Sequence, residues 1–133
     1  MNKEDLIKIE DVLDVKLPLE YKEIMLNYPF KENEDEIGKR YLLNDADKII
    51  EINQKLRKEG YKKKKKWPNH FYVIGEVTDN NYYFLNLLNG KEVYFIDEER
   101  RINLENFKKL IISIDLKQFI QFSKDMHEVV INP

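Results

Sequence analysis

Two histidines and two serines, with no cysteine, are this chain's whole supply of the usual nucleophiles and neutral-pH proton carriers. His70 and His127 lie far apart, and neither has a second ligand at metal spacing such as His-x-x-x-His. Each reads as a surface or edge histidine without any further role. Ser113 and Ser123 stand outside any Gly-x-Ser-x-Gly turn, and Ser113 sits in an apolar run beside a helix cap. Gly38, Gly60, Gly75 and Gly90 are scattered, so they build no phosphate-binding loop. Without cysteine there is no disulfide, thiolate nucleophile or cysteine zinc site. The expectation is no enzyme, no metal and no cofactor.

Carboxylates are the abundant reactive type, with 25 Asp and Glu. Glu76 and Asp79 flank the turn after the first expected strand, and Asp97, Glu98 and Glu99 close the third. In an antiparallel meander those two places share one end of the sheet, so these acids can form one negative patch. A glycosidase would need two carboxyls at fixed separation in a cleft, and no pair stands out. Loop solvation and a partner-binding patch are the two readings left. On the second, Glu76, Asp79, Asp97, Glu98 and Glu99 are the candidate contacts, with Tyr82 as their aromatic anchor.

The five lysines Lys62 to Lys66, followed by Trp67-Pro68, are the other conspicuous group. Like charges in a row repel and favour an extended, mobile loop. A phosphate contact there would be salt-dependent and read no sequence. The acidic stretch Glu32 to Glu36 offsets the run, so nucleic acid is disfavoured as a partner. Pro68 and the strand after it should hold Trp67 against the sheet.

These residues need elements to position them. Asn2 can cap a first helix running to Leu13, with Asp5 as capping-box partner and Leu6, Ile9 and Leu13 on one face. Leu17-Pro18 opens a second helix, with Pro18 in the first turn, Tyr21, Ile24, Met25 and Tyr28 at helical spacing, and Pro29 as the stop. Asn44 or Asp45 caps a third, whose inner face is Ala46, Ile49, Ile50, Asn53 and Leu56 and which Gly60 ends. From Phe71 the pattern changes to strands. Phe71, Val73, Gly75 and Val77 fall on one face, and Tyr72, Ile74 and Glu76 on the other. Tyr82 to Leu88 follows, then a two-residue Asn89-Gly90 turn and a strand from Val93 to Asp97. Phe107 to Ile114 reads as either strand or helix. Asp115 and Gln118 form a capping box for a last helix carrying Leu116, Phe119, Ile120 and Ser123 inward. Strands apolar on both faces call for helices on both sides. The expected fold is α+β: one domain, 1–133, with a central antiparallel meander flanked by N-terminal and C-terminal helices.

A chain of 133 residues buries roughly two-thirds of its unfolded surface, enough for a core without staples. Charged residues make up 36% of it, yet the net charge is −2, so the total gives little long-range attraction to nucleic acid or anionic membrane. No apolar run approaches the ~20 residues of a membrane span, and no signal core follows the N-terminus. A soluble, cytoplasmic protein is expected.

The serial order of motifs resembles the SMI1/KNR4 family of the SUKH superfamily. The matching pieces are Leu17-Pro18-Leu19-Glu20-Tyr21-Lys22, Ile74-Gly75-Glu76, Tyr82-Tyr83-Phe84-Leu85-Asn86-Leu87, Gly90-Lys91-Glu92-Val93-Tyr94, the acid at Glu98 or Glu99, and Ser113 to Ile120. The turn Thr78-Asp79-Asn80-Asn81 departs from the glycine-rich turn usual there. The resemblance implies a non-catalytic immunity protein that neutralises a cognate bacterial toxin, often a nuclease, by direct binding. The competing implication is a regulatory scaffold of the SMI1/KNR4 type that binds endogenous proteins.

Overall fold

The computed structural model describes residues 1–31, 40–63, 65–78, 80–89, 91–98 and 104–131. Asp79, Glu99, Gly38, Gly90 and the acidic stretch Glu32 to Glu36 lie outside the described residues.

Helix α1 spans Lys3–Leu13 and α2 spans Leu19–Leu26. The capping box forms as expected: Asp5 N donates to Asn2 Oδ1 at 2.8 Å, and Asn2 N donates to Asp5 Oδ2 at 3.1 Å. Pro18 is one step earlier than expected. It is the N-cap of α2, with φ −59° and ψ 142°, outside the first turn. Helix α2 also stops earlier than expected, at Leu26, with Asn27 as its C-cap at φ −124° and ψ 57°; the restriction that Pro29 imposes falls on Tyr28. Tyr28 instead turns its hydroxyl to the Leu42 carbonyl at 2.5 Å.

Helix α3, Ala46–Glu59, is capped by Asp45, whose carboxylate accepts from Lys48 N at 3.1 Å. It packs on α1, and Arg57 ties the two together by donating to the Leu13 carbonyl at 2.5 Å and the Asn69 carbonyl at 2.8 Å. A guanidinium at the carbonyl end of α1 also opposes that helix's negative pole.

The sheet order is β1-β2-β3-β4, all antiparallel: β1 Phe71–Thr78, β2 Asn81–Asn86, β3 Val93–Ile96 and β4 Ile111–Ser113. The ambiguous stretch resolves as a 3-10 helix, Leu104–Leu110, leading into β4. The last helix, α4, is Leu116–Ile131. It starts at the expected box, where Gln118 N donates to Asp115 Oδ1 at 2.8 Å, and buries Leu116, Phe119 and Ser123. This is the expected α+β meander with helices at both termini of the chain.

Two details of the sheet differ from strict alternation. A bulge between Val73 and Gly75 puts Gly75 opposite Tyr83, and a second between Glu76 and Thr78 follows. An extra residue reverses the facing of everything beyond it. Gly75 therefore leaves the face of Val73, and Glu76 joins the face of Tyr82, its partner across the ladder. The β2–β3 ladder ends at Leu85 opposite Val93, so the connection is longer than a two-residue Asn89-Gly90 turn. Asn86 closes its start, accepting Leu88 N on its side chain at 3.1 Å and Asn89 N on its carbonyl at 3.2 Å.

Both faces of the sheet carry aromatic cores. On one, Trp67 meets Phe71 and Phe84 with ring centroids 5.5 and 5.2 Å away, and Phe107 and Tyr94 continue the cluster. Trp67 is buried there, as its neighbours Pro68 and Phe71 suggested. On the other, Tyr83 contacts Phe95, Phe119 and Tyr41 at 4.7, 5.0 and 5.4 Å. The outer edge of β1 is closed rather than open. Buried Asn53 accepts Val73 N at 2.9 Å and donates to the Val73 carbonyl at 3.3 Å, and Leu43 N donates to the Ile74 carbonyl at 2.7 Å. One amide side chain and one loop thus stand in for a missing strand.

Candidate docking site

The chain reverses from β1 to β2 at residues 78–81, and β3 ends at the same end of the sheet. Asn80 makes the turn in the left-handed region, φ 68°, which asparagine tolerates better than most residues. Two asparagines then strap the end of β3 to this turn. Asn80 Nδ2 donates to Glu98 Oε1 at 2.7 Å, and Glu98 N donates to Asn81 Oδ1 at 3.1 Å. Asn81 Nδ2 also reaches Thr78 Oγ1 at 2.7 Å.

The lysine run meets this end of the sheet. It is not an extended loop: Tyr61 and Lys65 form an antiparallel bridge, with Tyr61 N to the Lys65 carbonyl at 2.7 Å and Lys65 N to the Tyr61 carbonyl at 3.2 Å. Lys62 and Lys63 turn between them with φ 55° and 60°. Gly60, at φ 80°, makes the close approach possible, since a Cβ there would lie 2.5 Å from the Lys65 carbonyl oxygen. Hydrogen bonds outweigh repulsion because exposed ammonium groups are screened by water while the backbone pairs are not. Tyr61 OH then donates to the Asn80 carbonyl at 2.5 Å, and Lys62 Nζ to the Glu98 carbonyl at 2.6 Å. Burial, with the charges of Asp97 and Glu98 next, holds the Tyr61 phenol above its ordinary range.

Of the candidate contacts, Glu76, Tyr82, Asp97 and Glu98 come to this end of the sheet, but they divide between its faces. Glu76 pairs across the ladder with Tyr82, and Tyr82 with Ile96, on the side of Tyr61. Asp97 and Glu98 line a shallow cleft of about 270 Å³ with Asn81 and Phe95, the face of Tyr83. Tyr82 keeps 6% of its surface, so it supports the rim from within more than it projects from it. A second cleft, about 330 Å³, lies on the Tyr82 side and is lined by Lys55, Leu56, Glu59, Gly60, Lys62, Lys63, Asn80 and Tyr82. Residue-by-residue reading missed Tyr61, Asn80 and Lys55 as parts of this end. Only Asn80-Asn81 carried a signal, as turn formers; Tyr61 and Lys55 arrive through the fold.

Among the described residues no group of three His, Cys, Asp or Glu is placed to hold a metal ion, and no helix is long and apolar enough to cross a membrane. Ser113 and Ser123 are buried, and Ser123 Oγ donates to the Phe119 carbonyl at 2.8 Å, a helix-internal bond.

Three N-terminal helices, a four-stranded antiparallel meander and a C-terminal helix define a small α+β domain. The SMI1/KNR4 family (SUKH-1) pattern matches residues 1–120, and the chain belongs to that family. Comparison with curated proteins gives no match, and comparison with solved structures gives none either.

The segments that carry the family likeness have structural work to do. Leu17 is buried, and its N–H donates to Glu10 Oε2 at 2.9 Å. Lys22 Nζ is 3.2 Å from Glu10 Oε1, so one carboxylate clamps α1 to the start of α2. Tyr21, fully buried, shares a 2.8 Å hydroxyl–hydroxyl bond with Tyr72 of β1. Gly75 admits a crossing backbone: a Cβ there would lie 2.3 Å from the Arg40 carbonyl oxygen and 2.5 Å from that of Tyr41.

Proposed function

We propose that this chain is a cytoplasmic immunity protein that binds a cognate toxin domain, of the nuclease class, without catalysing any reaction. The family is known for immunity proteins, which gives the class of partner. The observation that carries the site is the strapped end of the sheet. Asn80 and Asn81 hold Glu98 by side chain and backbone, so the acid stands on a braced rim. A preorganised charge loses little entropy on binding and steers an oppositely charged partner. The contact set is Glu76, Asp79, Tyr82, Asp97, Glu98 and Glu99. Nucleases present basic surfaces to hold phosphate, and an acidic rim competes for that surface.

Co-expression with a toxin-like domain from a neighbouring gene tests the reading. Wild-type chain should restore growth and co-purify as a stoichiometric complex. The double variant D97K/E98K should lose rescue, mainly through a slower on-rate that high salt makes less distinct. Growth arrest unchanged by the wild-type chain, with no complex, would refute the proposal.

A further inference from the structure

The lysine loop spends backbone strain at one place. Lys62 and Lys63 both adopt left-handed φ angles, 55° and 60°, where L-residues other than glycine, asparagine and aspartate seldom sit. L-residues hold such a conformation only where the surroundings fix it, and strain of this kind gathers at ligand clamps and switch regions. The loop is held in it by the Tyr61–Lys65 bridge, by the close pass of Gly60, and by the bond from Tyr61 to Asn80. Its result is a cleft of about 330 Å³ over Tyr82 and Leu56, with Lys62 and Lys63 on one wall and Lys55 of α3 on another.

The charge there is positive. Its lining holds three lysines, Lys55, Lys62 and Lys63, and one acidic residue, Glu59. The carbonyl end of α3 offsets part of that charge. Lys62 is drawn to the Glu98 carbonyl at 2.6 Å, so it joins this cleft to the acidic rim across the Asn80 turn. Basic and acidic surfaces therefore meet at one fixed seam.

We infer that the cleft between the end of α3 and the lysine loop is an anion-binding subsite that takes an acidic side chain of a protein partner. The inference rests on the reading that this end of the sheet docks a protein, and it changes the partner's chemistry. The partner presents a carboxylate to Lys55, Lys62 and Lys63 beside the basic surface that meets Asp97 and Glu98. A uniformly basic partner would be repelled by the three lysines. A peptide carboxylate is favoured over a nucleic-acid strand because Asp97 and Glu98 stand beside the cleft, where Lys62 bonds the Glu98 carbonyl, and their charge repels a chain of phosphates.

The test needs no toxin. Isotope-labelled protein is titrated at low salt with a hexaglutamate peptide, and separately with inorganic pyrophosphate and a single-stranded oligonucleotide, while backbone amide shifts are followed. The inference expects saturable shifts from the peptide at Gly60, Lys62, Lys63 and Asn80, reversed by added salt. K55Q, which leaves the loop backbone alone, should weaken the peptide roughly two- to fivefold, and K62Q/K63Q should weaken it further. No peptide shifts at those amides would overturn the inference. So would peptide binding unaffected by K55Q, or tighter binding of pyrophosphate or the oligonucleotide at the same residues. Loss of toxin rescue alone, with the peptide result intact, would count against the immunity reading and leave the subsite standing.

Discussion

Tyr21 and Tyr72 offer the sharpest check on how the helices are fastened to the sheet. Both are fully buried, their hydroxyls are 2.8 Å apart, and their rings meet edge-on with centroids 5.3 Å apart. Changing either one to phenylalanine keeps the ring packing but strands the other hydroxyl away from water. A buried polar group without its partner costs about 1–3 kcal/mol. Changing both removes the bond and leaves no orphan, so the double variant should lose little more than one single variant. Urea unfolding followed by circular dichroism, with linear extrapolation, measures all four proteins. We expect Y21F and Y72F each to lose about 1–2 kcal/mol, and the pair to fall short of the sum by about 1 kcal/mol or more. Additivity within about 0.5 kcal/mol would refute the reasoning, because two independent sites behave that way. An unchanged m-value is part of the expectation, since the surface exposed on unfolding hardly alters.

Gly75→Ala would place a methyl against two backbone carbonyls, and we expect a loss of about 3 kcal/mol or more in the same unfolding assay, the upper range for overpacking. Alkaline pH should destabilise the fold. Burial first of all pushes the phenols of Tyr83 and Tyr94 up to about 12 and raises those of Tyr21, Tyr61 and Tyr72 as well. The unfolded chain releases these protons near pH 10 and the folded chain holds them, so stability is fully present below about pH 10 and falls as pH rises through the folded values. A melting temperature that stayed level from pH 9 to about 11 would contradict that sign.

The helices were legible because their signals are local. Asn2 with Asp5, Asp45 and Gly60 mark their ends by chemistry that acts within one turn, and each does so in the structure. The sheet was legible in order but less so in register. A bulge such as that at Val73/Gly75 depends on what crosses the strand, here the carbonyls of residues 40 and 41, and no neighbour in sequence announces it. The same is true of the rim. Strand order alone places Glu76 and Asp97 at one end of the sheet, whereas the division between faces follows from the bulge. The lysine loop was misread because repulsion between like charges is visible in sequence, while the Tyr61–Lys65 bridge and the Gly60 approach that outweigh it are not. Asn53 was placed inward by helical spacing, but its pairing with Val73 needed the edge of β1 beside it.

Hydrogen exchange on the complex with the toxin domain bears most directly on docking through the braced sheet end. The account predicts slowed exchange on binding at residues 76–82, 95–98 and 60–63, with the α1–α2 clamp at Glu10 and Lys22 unchanged. Protection confined to α1, α2 or the outer face of α4, with the rim exchanging as in the free protein, would contradict it.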